Sequence, residues 1–311
     1  MVFLAVVTAL LAAVSLLWAP GELLALSARA PDLARTIMFE LRLPRTLLGL
    51  LIGGGLGIGG AAMQALLRNP LASPDVLGPS TGAALGAVIA GYFLGGGVVA
   101  MEIGGIGGAM LALALLVALA GRGAGTATLI LAGVAISALA GASVNLALSL
   151  APSPYALYDV MFWLMGSLAD RSLPQLLMTA PVMLAAGAVL AAQRGRLDTL
   201  ALGEDVAASL GVDVARLRWT VIIAVGVMTG AAVAAAGSIG FVGLIVPHLV
   251  RPFVAGRPGA ALLPSALAGA ALLSAADIMV RLPLADQEIK LGVFTALAGA
   301  PFFLWLVVRS R

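Results

Sequence analysis

The sequence contains no cysteine, one histidine (His248) and one lysine (Lys290). The absence of cysteine excludes a disulfide framework, a cysteine-ligated zinc site and a thiolate-held iron–sulfur cluster. A histidine-based metal site or a Ser–His–Asp triad would depend on His248 alone. No second ligand lies near it in LIVPHLVRP, so a structural or interfacial role is preferred to a ligand contact.

Motifs for phosphate binding and hydrolysis are also missing. GxxxxGK[ST], HExxH, GxSxG and the EF-hand loop do not occur, and no run of basic residues suggests nucleic-acid binding. We therefore predict that the chain is not an enzyme, has no nucleotide site, binds no metal or other cofactor itself, and binds no nucleic acid.

Charge is scarce as well. Charged residues make up 10% of the 311 residues, hydrophobic residues make up 62%, and the mean hydropathy is +1.13. An ordinary soluble domain contains about 25% charged residues. A soluble fold of this length could not bury so much apolar surface, so the composition predicts an integral membrane protein surrounded by lipid.

Apolar runs long enough to cross a bilayer predict one all-α transmembrane domain, residues 1–311, with about ten helices. The runs are 2–19, 45–67, 76–98, 101–120, 127–149, 174–193, 218–237, 240–255, 260–280 and 289–308. The run 240–255 is short, so nine helices remain an alternative. No positively charged residue precedes the first run, whereas a signal peptide has a charged segment there, so we expect a retained helix rather than a cleaved signal peptide.

An even number of helices places both termini on one side of the membrane. If that side is the cytoplasm, ten arginines lie inside, and six arginines and Lys290 lie outside. This small bias favours cytoplasmic termini. It is small because Arg29, Arg35, Arg42 and Arg45 crowd the first outer loop, which indicates a role for them other than topology.

Ionisable groups are scarce within the predicted spans, where Asp277 is the only acid placed well inside. Ion-coupled carriers place such groups at mid-membrane, at a cost of about 2.5–3.5 kcal/mol each. An ion-driven secondary transporter centred on Asp277 is therefore a weaker alternative. A membrane enzyme is another, but no catalytic cluster is visible.

Glycines at spacings of four residues, such as Gly49, Gly53 and Gly57, predict close helix packing inside the chain, with a dimer interface as the alternative. The one long hydrophilic interior stretch is 194–218. Within it, 202–211 predicts a short helix, with acids in its first turn and glycine as its stop. Its apolar stripe indicates either docking on a partner or a solvated connector.

Six stretches, in order along nearly the whole chain, resemble one family. They are RLPRTLLGLLIGGGLGIGGAAMQALLRNPLASPDVLGPSTGAALGA (42–87), LAGVAISAL (131–139), FWLMGSL (162–168), LGEDVAASLGV (202–212), GSIGFVGLIVPHLVR (237–251) and LGVFTALAGAPFFLWL (291–306). The chain is similar to the permease subunits of bacterial ATP-binding-cassette (ABC) importers for iron siderophores, haem and vitamin B12, the FecCD-type family.

The resemblance implies ten helices, an inverted repeat of helices 2–5 and 7–10, and a homodimer with a central translocation pathway. Two cytoplasmic ABC ATPase subunits would bind ATP and Mg, and a periplasmic or lipoprotein substrate-binding protein would deliver the cargo. The chain would be a multi-pass protein of the bacterial inner (cytoplasmic) membrane. The breadth of the family favours an iron chelate, either haem or a ferric siderophore, with cobalamin (vitamin B12) as the alternative.

The resemblance also implies roles for particular residues at the two faces of the membrane. Docking of the binding protein is assigned to Arg42, Arg45 and Arg281, whose guanidinium groups can grip carboxylates. The alternative is that these arginines only extend to the interface. Coupling to the ATPase is assigned to Leu202, Gly203, Glu204, Asp205, Leu210 and Gly211.

Further assignments concern the gate and the pathway. The cytoplasmic gate is assigned to Asn69, Pro70, Leu71, Thr126 and Ala127, with an ordinary turn as the alternative. The pathway is assigned to Ser137, Asn145, Met161, Met165 and Thr295. Methionine suits a wall that must adapt to a bulky cargo, although such residues also pack between helices.

Overall fold

The computed structural model describes residues 1–74, 78–121, 125–151, 153–282 and 289–309, and every regular element in these residues is helical. The α-helices are α1 (Val2–Leu16), α2 (Pro20–Arg29), α3 (Pro31–Thr36), α4 (Leu43–Leu67), α5 (Pro79–Val88), α6 (Gly97–Ala120), α7 (Thr126–Ser149), α8 (Pro154–Leu164), α9 (Leu173–Ala192), α10 (Arg194–Leu200), α11 (Glu204–Ser209), α12 (Val214–Ala236), α13 (Val242–Val250), α14 (Leu262–Val280) and α15 (Leu291–Arg309).

Each of the ten predicted apolar runs overlaps at least one of these helices. Within the described residues, six helices are long and apolar enough to cross a bilayer. They are Pro31–Leu67, Val99–Ala120, Ala127–Ser149, Leu173–Ala192, Val214–Ala236 and Gly259–Val280. The first is continuous because a π-helical segment, Ile37–Arg42, joins α3 to α4. The all-helical membrane architecture is therefore confirmed, and the number of ten spans stays a prediction.

Helix α4 lies at the centre and packs against α14, α13, α12 and α9. In the helices that contain α4 and α12, 78% of the most apolar 18-residue stretch is buried inside the fold. The corresponding share is 28% in α6 and α7. Helix α7 packs mainly on α5 and α6. Apolar side chains on the rest of its surface are exposed, including Leu131, Val134 and Leu146. This surface is open to lipid or to another chain.

The glycines of α4 let neighbouring backbones come close. A Cβ atom on Gly57 would lie 2.1 Å from the carbonyl oxygen of Ser265 in α14. A Cβ atom on Gly60 would lie 1.9 Å from the carbonyl oxygen of Gly243 in α13. Both distances are far shorter than any real contact, so only glycine fits at these crossings. The α4 glycines therefore pack within the chain, as the first of the two sequence interpretations proposes.

Gly60→Ala is expected to lower the free energy of unfolding by about 1–3 kcal/mol, because the added methyl group forces α4 and α13 apart. Gly59→Ala is the matched control, since its Cβ atom would lie 3.7 Å from Val225 Cγ1, an ordinary contact. Thermal unfolding in detergent checks both variants. Equal unfolding temperatures for the two would show that the crossing tolerates a side chain.

Candidate functional site

The C-terminal ends of α1 and α14 meet the N-terminal end of α4 at a group of charged residues: Arg42, Arg45, Asp277 and Arg281. We call this group the outer arginine cluster, because the predicted topology places it on the outer side of the membrane. Arg45 Nε donates to both carboxylate oxygens of Asp277, at 3.1 and 3.2 Å, and Arg45 Nη2 donates to Oδ1 at 2.9 Å. Arg281 Nη2 donates to Oδ2 of the same carboxylate. Asp277 thus lies between two guanidinium groups and is only 3% exposed.

The same arginines hold the end of α1. Arg281 donates from Nη1 to the carbonyl oxygen of Ser15 at 3.0 Å and from Nη2 to Ser15 Oγ at 2.9 Å. Ser15 Oγ lies 2.8 Å from Thr46 Oγ1 in α4. Arg42 Nη1 donates to the carbonyl oxygen of Leu16, the last residue of α1, and to that of Trp18 just beyond the helix. Cationic donors at a helix C-terminus satisfy its last carbonyls and complement its dipole.

The cluster carries three positive charges and one negative charge, so a positive surplus remains at this end of the three helices. The structure brings together all three arginines predicted to dock the binding protein. It also assigns them a structural task that the sequence interpretation does not include. Arg45 and Arg281 are 18% and 10% exposed, so each presents only part of its side chain to a partner.

The predicted coupling helix is present as α11, which is shorter than the interval 202–211 at both ends. Gly203 precedes it with φ at +116°, and Gly211 follows it with φ at +85°, a backbone region that favours glycine. Glu204 in its first turn accepts from Arg218 Nη2 at 2.9 Å, which ties α11 to α12. Asp205 is exposed beside it.

The apolar stripe of this segment remains uncovered. Leu202, Val206 and Leu210 are 65%, 43% and 64% exposed, whereas Ala207 on the inner side is buried. Val206 lies within α11, whereas Leu202 and Leu210 lie just before and just after it, and together the three side chains present an exposed apolar surface. The geometry fits a helix that inserts into a groove of another protein.

The turn after α4 holds the first half of the predicted cytoplasmic gate. Asn69 Oδ1 accepts from the Leu71 backbone N–H at 2.9 Å, which forms an Asx turn around Pro70. Asn69 and Pro70 line a cavity of about 290 Å³, together with Arg68, Arg251 and Arg257. The second half, Thr126 and Ala127, begins α7. Ala127 is exposed and does not line this cavity.

The predicted pathway residues fall into two groups. Asn145 in α7 and Met161 in α8 are exposed, and Met165 is exposed just beyond α8. Ser137 Oγ is buried in α7 without a partner among the described residues. Thr295 is buried, donates to the Gly292 carbonyl oxygen at 3.0 Å and lines an apolar cavity of about 180 Å³ between α13, α14 and α15.

Glu102 is a buried acid that the sequence interpretation passes over. The predicted span begins at 101, which puts Glu102 at its edge, whereas α6 begins at Gly97 and so carries Glu102 inward. The side chain is 1% exposed, and Thr179 in α9 donates to its Oε1 at 3.0 Å. An acid at the start of the apolar run 101–120 is the sequence feature that could have indicated a buried carboxylate.

His248 lies in α13, and its ring meets Phe302 edge-to-face with 5.9 Å between the ring centroids. This contact fits the structural role preferred from the sequence. Among the described residues, no group of three or more histidine, aspartate or glutamate side chains could hold a metal ion.

The chain has extensive similarity to known transport proteins. Residues 1–309 match the FecCD transport family. The chain is 44% identical to the vitamin B12 import system permease protein BtuC of Vibrio cholerae, over 90% of this chain and 85% of that protein. It is 41% identical to the cobalamin import system permease protein BtuC of Halobacterium salinarum, over 90% of this chain and 75% of that protein.

Two solved structures are also similar to this chain. A metal-chelate type ABC transporter in an inward-facing conformation aligns with a TM-score of 0.86 and 33% identity, covering 98% of this chain and 97% of that one. PsaBC from Streptococcus pneumoniae shares the fold, with a TM-score of 0.59 and 17% identity. The chain therefore belongs to the FecCD transport family and is the multi-pass membrane permease subunit of an ABC importer.

Proposed function

We propose that this permease imports cobalamin. The observation that carries the proposal is the identity of 44% and 41% to permeases named for vitamin B12 and cobalamin import, in two organisms and over most of each chain. These names favour cobalamin over the iron chelate that the breadth of the family suggests. An iron chelate stays the second candidate, because the metal-chelate transporter has the same fold along nearly the whole chain.

The proposal includes a homodimer of ten-helix subunits with cytoplasmic termini in the bacterial inner membrane. The exposed apolar side of α7 and the exposed Asn145, Met161 and Met165 support a pathway formed between two copies. Alternating access would be driven by a separate ATPase that binds ATP and Mg. The resemblance to an inward-facing transporter supports an inward-facing state with a closed outer side.

The outer arginine cluster is the proposed docking site for the substrate-binding protein. Its positive surplus supports an acidic partner, since charge complementarity steers association between proteins. Because Asp277 already holds Arg45 and Arg281, partner carboxylates would meet guanidinium groups fixed in place. Such fixed donors lose little side-chain freedom on binding.

The exposed apolar stripe, Leu202, Val206 and Leu210, is the proposed docking site for the ATPase. Arg218 and Glu204 join α11 to α12, so a movement of the ATPase would reach a mostly buried membrane helix directly. The turn at Asn69, Pro70 and Leu71 is the proposed inner gate, together with Thr126 and Ala127 at the start of α7.

Uptake in liposomes tests this function. The permease, its ATPase and its binding protein are reconstituted, and uptake of cobalamin, haem and a ferric siderophore is measured side by side. We expect uptake of cobalamin that requires ATP and the binding protein, with at least a tenfold preference over the other two cargoes. Equal or preferential uptake of the iron chelates would overturn the choice of substrate. Uptake driven by an ion gradient without the ATPase would contradict the mechanism.

A further inference from the structure

The cavity of about 290 Å³ lies at the C-terminal ends of α4 and α13, beside the turn between α10 and α11. Pro247 and Arg251 line it from the end of α13, and residues 256–258 line it from the connection to α14. Its buried lining residues, such as Pro247 and Ala261, are apolar. The wall on α4 is one face of that helix, at spacings of three and four residues: Ala61, Gln64, Ala65 and Arg68.

Three exposed arginines line this cavity: Arg68, Arg251 and Arg257. Arg257 Nη2 donates to Asp198 Oδ2 at 3.1 Å, and the other oxygen of Asp198 accepts from the Gly259 N–H at 2.8 Å. The side chains of Arg68 and Arg251 form no hydrogen bond or ion pair with any residue that the structure describes. None of the described lining residues is acidic.

The ends of α4 and α13 account for only part of this positive charge. Arg68 follows the last residue of α4 and Arg251 follows that of α13, and a cation at a helix C-terminus complements its dipole. Each helix end is equivalent to about half a negative charge, so the two ends together balance about one guanidinium group. Asp198 balances another. A positive surplus therefore remains around one shared cavity.

The walls of the cavity are fixed by contacts between backbones and by short hydrogen bonds. A Cβ atom on Gly259 would lie 1.9 Å from the carbonyl oxygen of Arg194, so the connection to α14 packs directly on the start of α10. Gln64 Nε2 donates to the carbonyl oxygen of Leu244 at 3.2 Å, which joins α4 to α13. A cavity whose walls are already in place loses little freedom when a ligand binds.

An exposed apolar surface adjoins the arginines on the side of α13. Leu249 is 50% exposed, and Phe253, two residues after Arg251, is 87% exposed. Aromatic side chains of membrane proteins are enriched at the level of the lipid headgroups. The turn between α10 and α11 lines the same cavity, and the predicted topology places that turn in the cytoplasm. Basic pockets between helices on this side of a membrane suit anionic headgroups.

We propose that this cavity binds a phosphate group, carried by an anionic phospholipid or free in solution, with Arg68 and Arg251 as its direct ligands. Guanidinium groups grip phosphate oxygens in a bidentate fork. Arg257, held by Asp198, adds a third positive charge. Asn69 and Pro70 also line the cavity, so the bound phosphate lies against the turn proposed as the inner gate. That last consequence rests on the proposed function, whereas the site itself does not.

Binding is measured on the permease–ATPase complex, with two probes that separate the two sources of phosphate. In the first, nanodiscs of phosphatidylcholine contain a small fraction of phosphatidylglycerol, and native mass spectrometry counts the lipids that stay bound after release. In the second, nanodiscs of phosphatidylcholine alone are dialysed against radiolabelled inorganic phosphate. We expect at least a tenfold preference for phosphatidylglycerol over phosphatidylcholine. Saturable binding of inorganic phosphate instead would identify the free ion as the ligand.

The double variant Arg68→Gln/Arg251→Gln is expected to weaken binding of the favoured probe at least tenfold. Arg29→Gln is the matched control, because Arg29 is an exposed arginine in the last turn of α2 and does not line the cavity. It should bind the probe as the unchanged protein does. Equal losses in the two variants, or binding of neither probe by the unchanged complex, would overturn the inference. No cargo is used, so a wrong choice of substrate, which the uptake assay detects, leaves the outcome unaffected.

Discussion

Asp277→Asn is expected to destabilise the permease by about 3–5 kcal/mol, the cost of breaking a buried ion pair by removing one partner. The change leaves Arg45 and Arg281, both mostly covered, without their shared carboxylate. The hydrogen bonds of Arg281 to Ser15 depend on the same arrangement, so α1 should also loosen. Thermal unfolding in detergent and the yield of monodisperse protein measure the effect.

Arg257→Gln is the matched control, because it removes an ion pair of the same chemistry at the surface. Arg257 donates to Asp198 at 3.1 Å but is 70% exposed, and such pairs contribute about 0–1 kcal/mol. A stable Asp277→Asn protein that had lost only gradient-driven uptake would revive the ion-coupled alternative. The structure argues against that alternative, because a carboxylate held between two guanidinium groups is poorly placed to bind and release an ion.

The outer arginine cluster shows what the sequence could and could not predict. The arginines that crowd the first predicted outer loop drew attention to Arg42 and Arg45, because charge can be counted from sequence, and their docking role stays a prediction. The bond between Arg45 and Asp277 spans 232 residues, and no local pattern indicates such a partner. The sequence therefore presented Asp277 as a solitary acid, whereas the fold makes it the centre of the cluster.

Helices were more predictable than sites, because apolar composition alone indicates a membrane helix. The apolar runs located the membrane helices, and the glycine spacing of α4 indicated its close packing. The sequence analysis did not single out Glu102, because predicted helix ends are uncertain by several residues. The predicted run begins at residue 101, four residues after the start of α6, so Glu102 was placed at the end of the helix rather than inside it. The gate and pathway assignments remain predictions, since they concern a space that would be enclosed only in the proposed homodimer.

Leu210→Glu is expected to reduce ATP-dependent uptake at least tenfold while leaving the folded permease intact. Leu210 is 64% exposed, so its replacement removes little packing within the fold. Surface substitutions of this kind change stability by about 0.5 kcal/mol or less. In an apolar groove of the ATPase, by contrast, an unpaired carboxylate would be buried at a high cost.

Ala208→Glu separates a specific contact from a general effect of charge. Ala208 is exposed on the same short helix but lies about 200° around it from Val206, at about 100° per residue. We expect Ala208→Glu to retain uptake and to copurify with the ATPase, and Leu210→Glu to lose both. Equal losses in the two variants would show that α11 responds to charge alone. Normal uptake by Leu210→Glu would place the ATPase contact elsewhere. The comparison is decisive because Leu210 belongs to the exposed apolar stripe and Ala208 does not, and burial of that stripe is what would stabilise the complex.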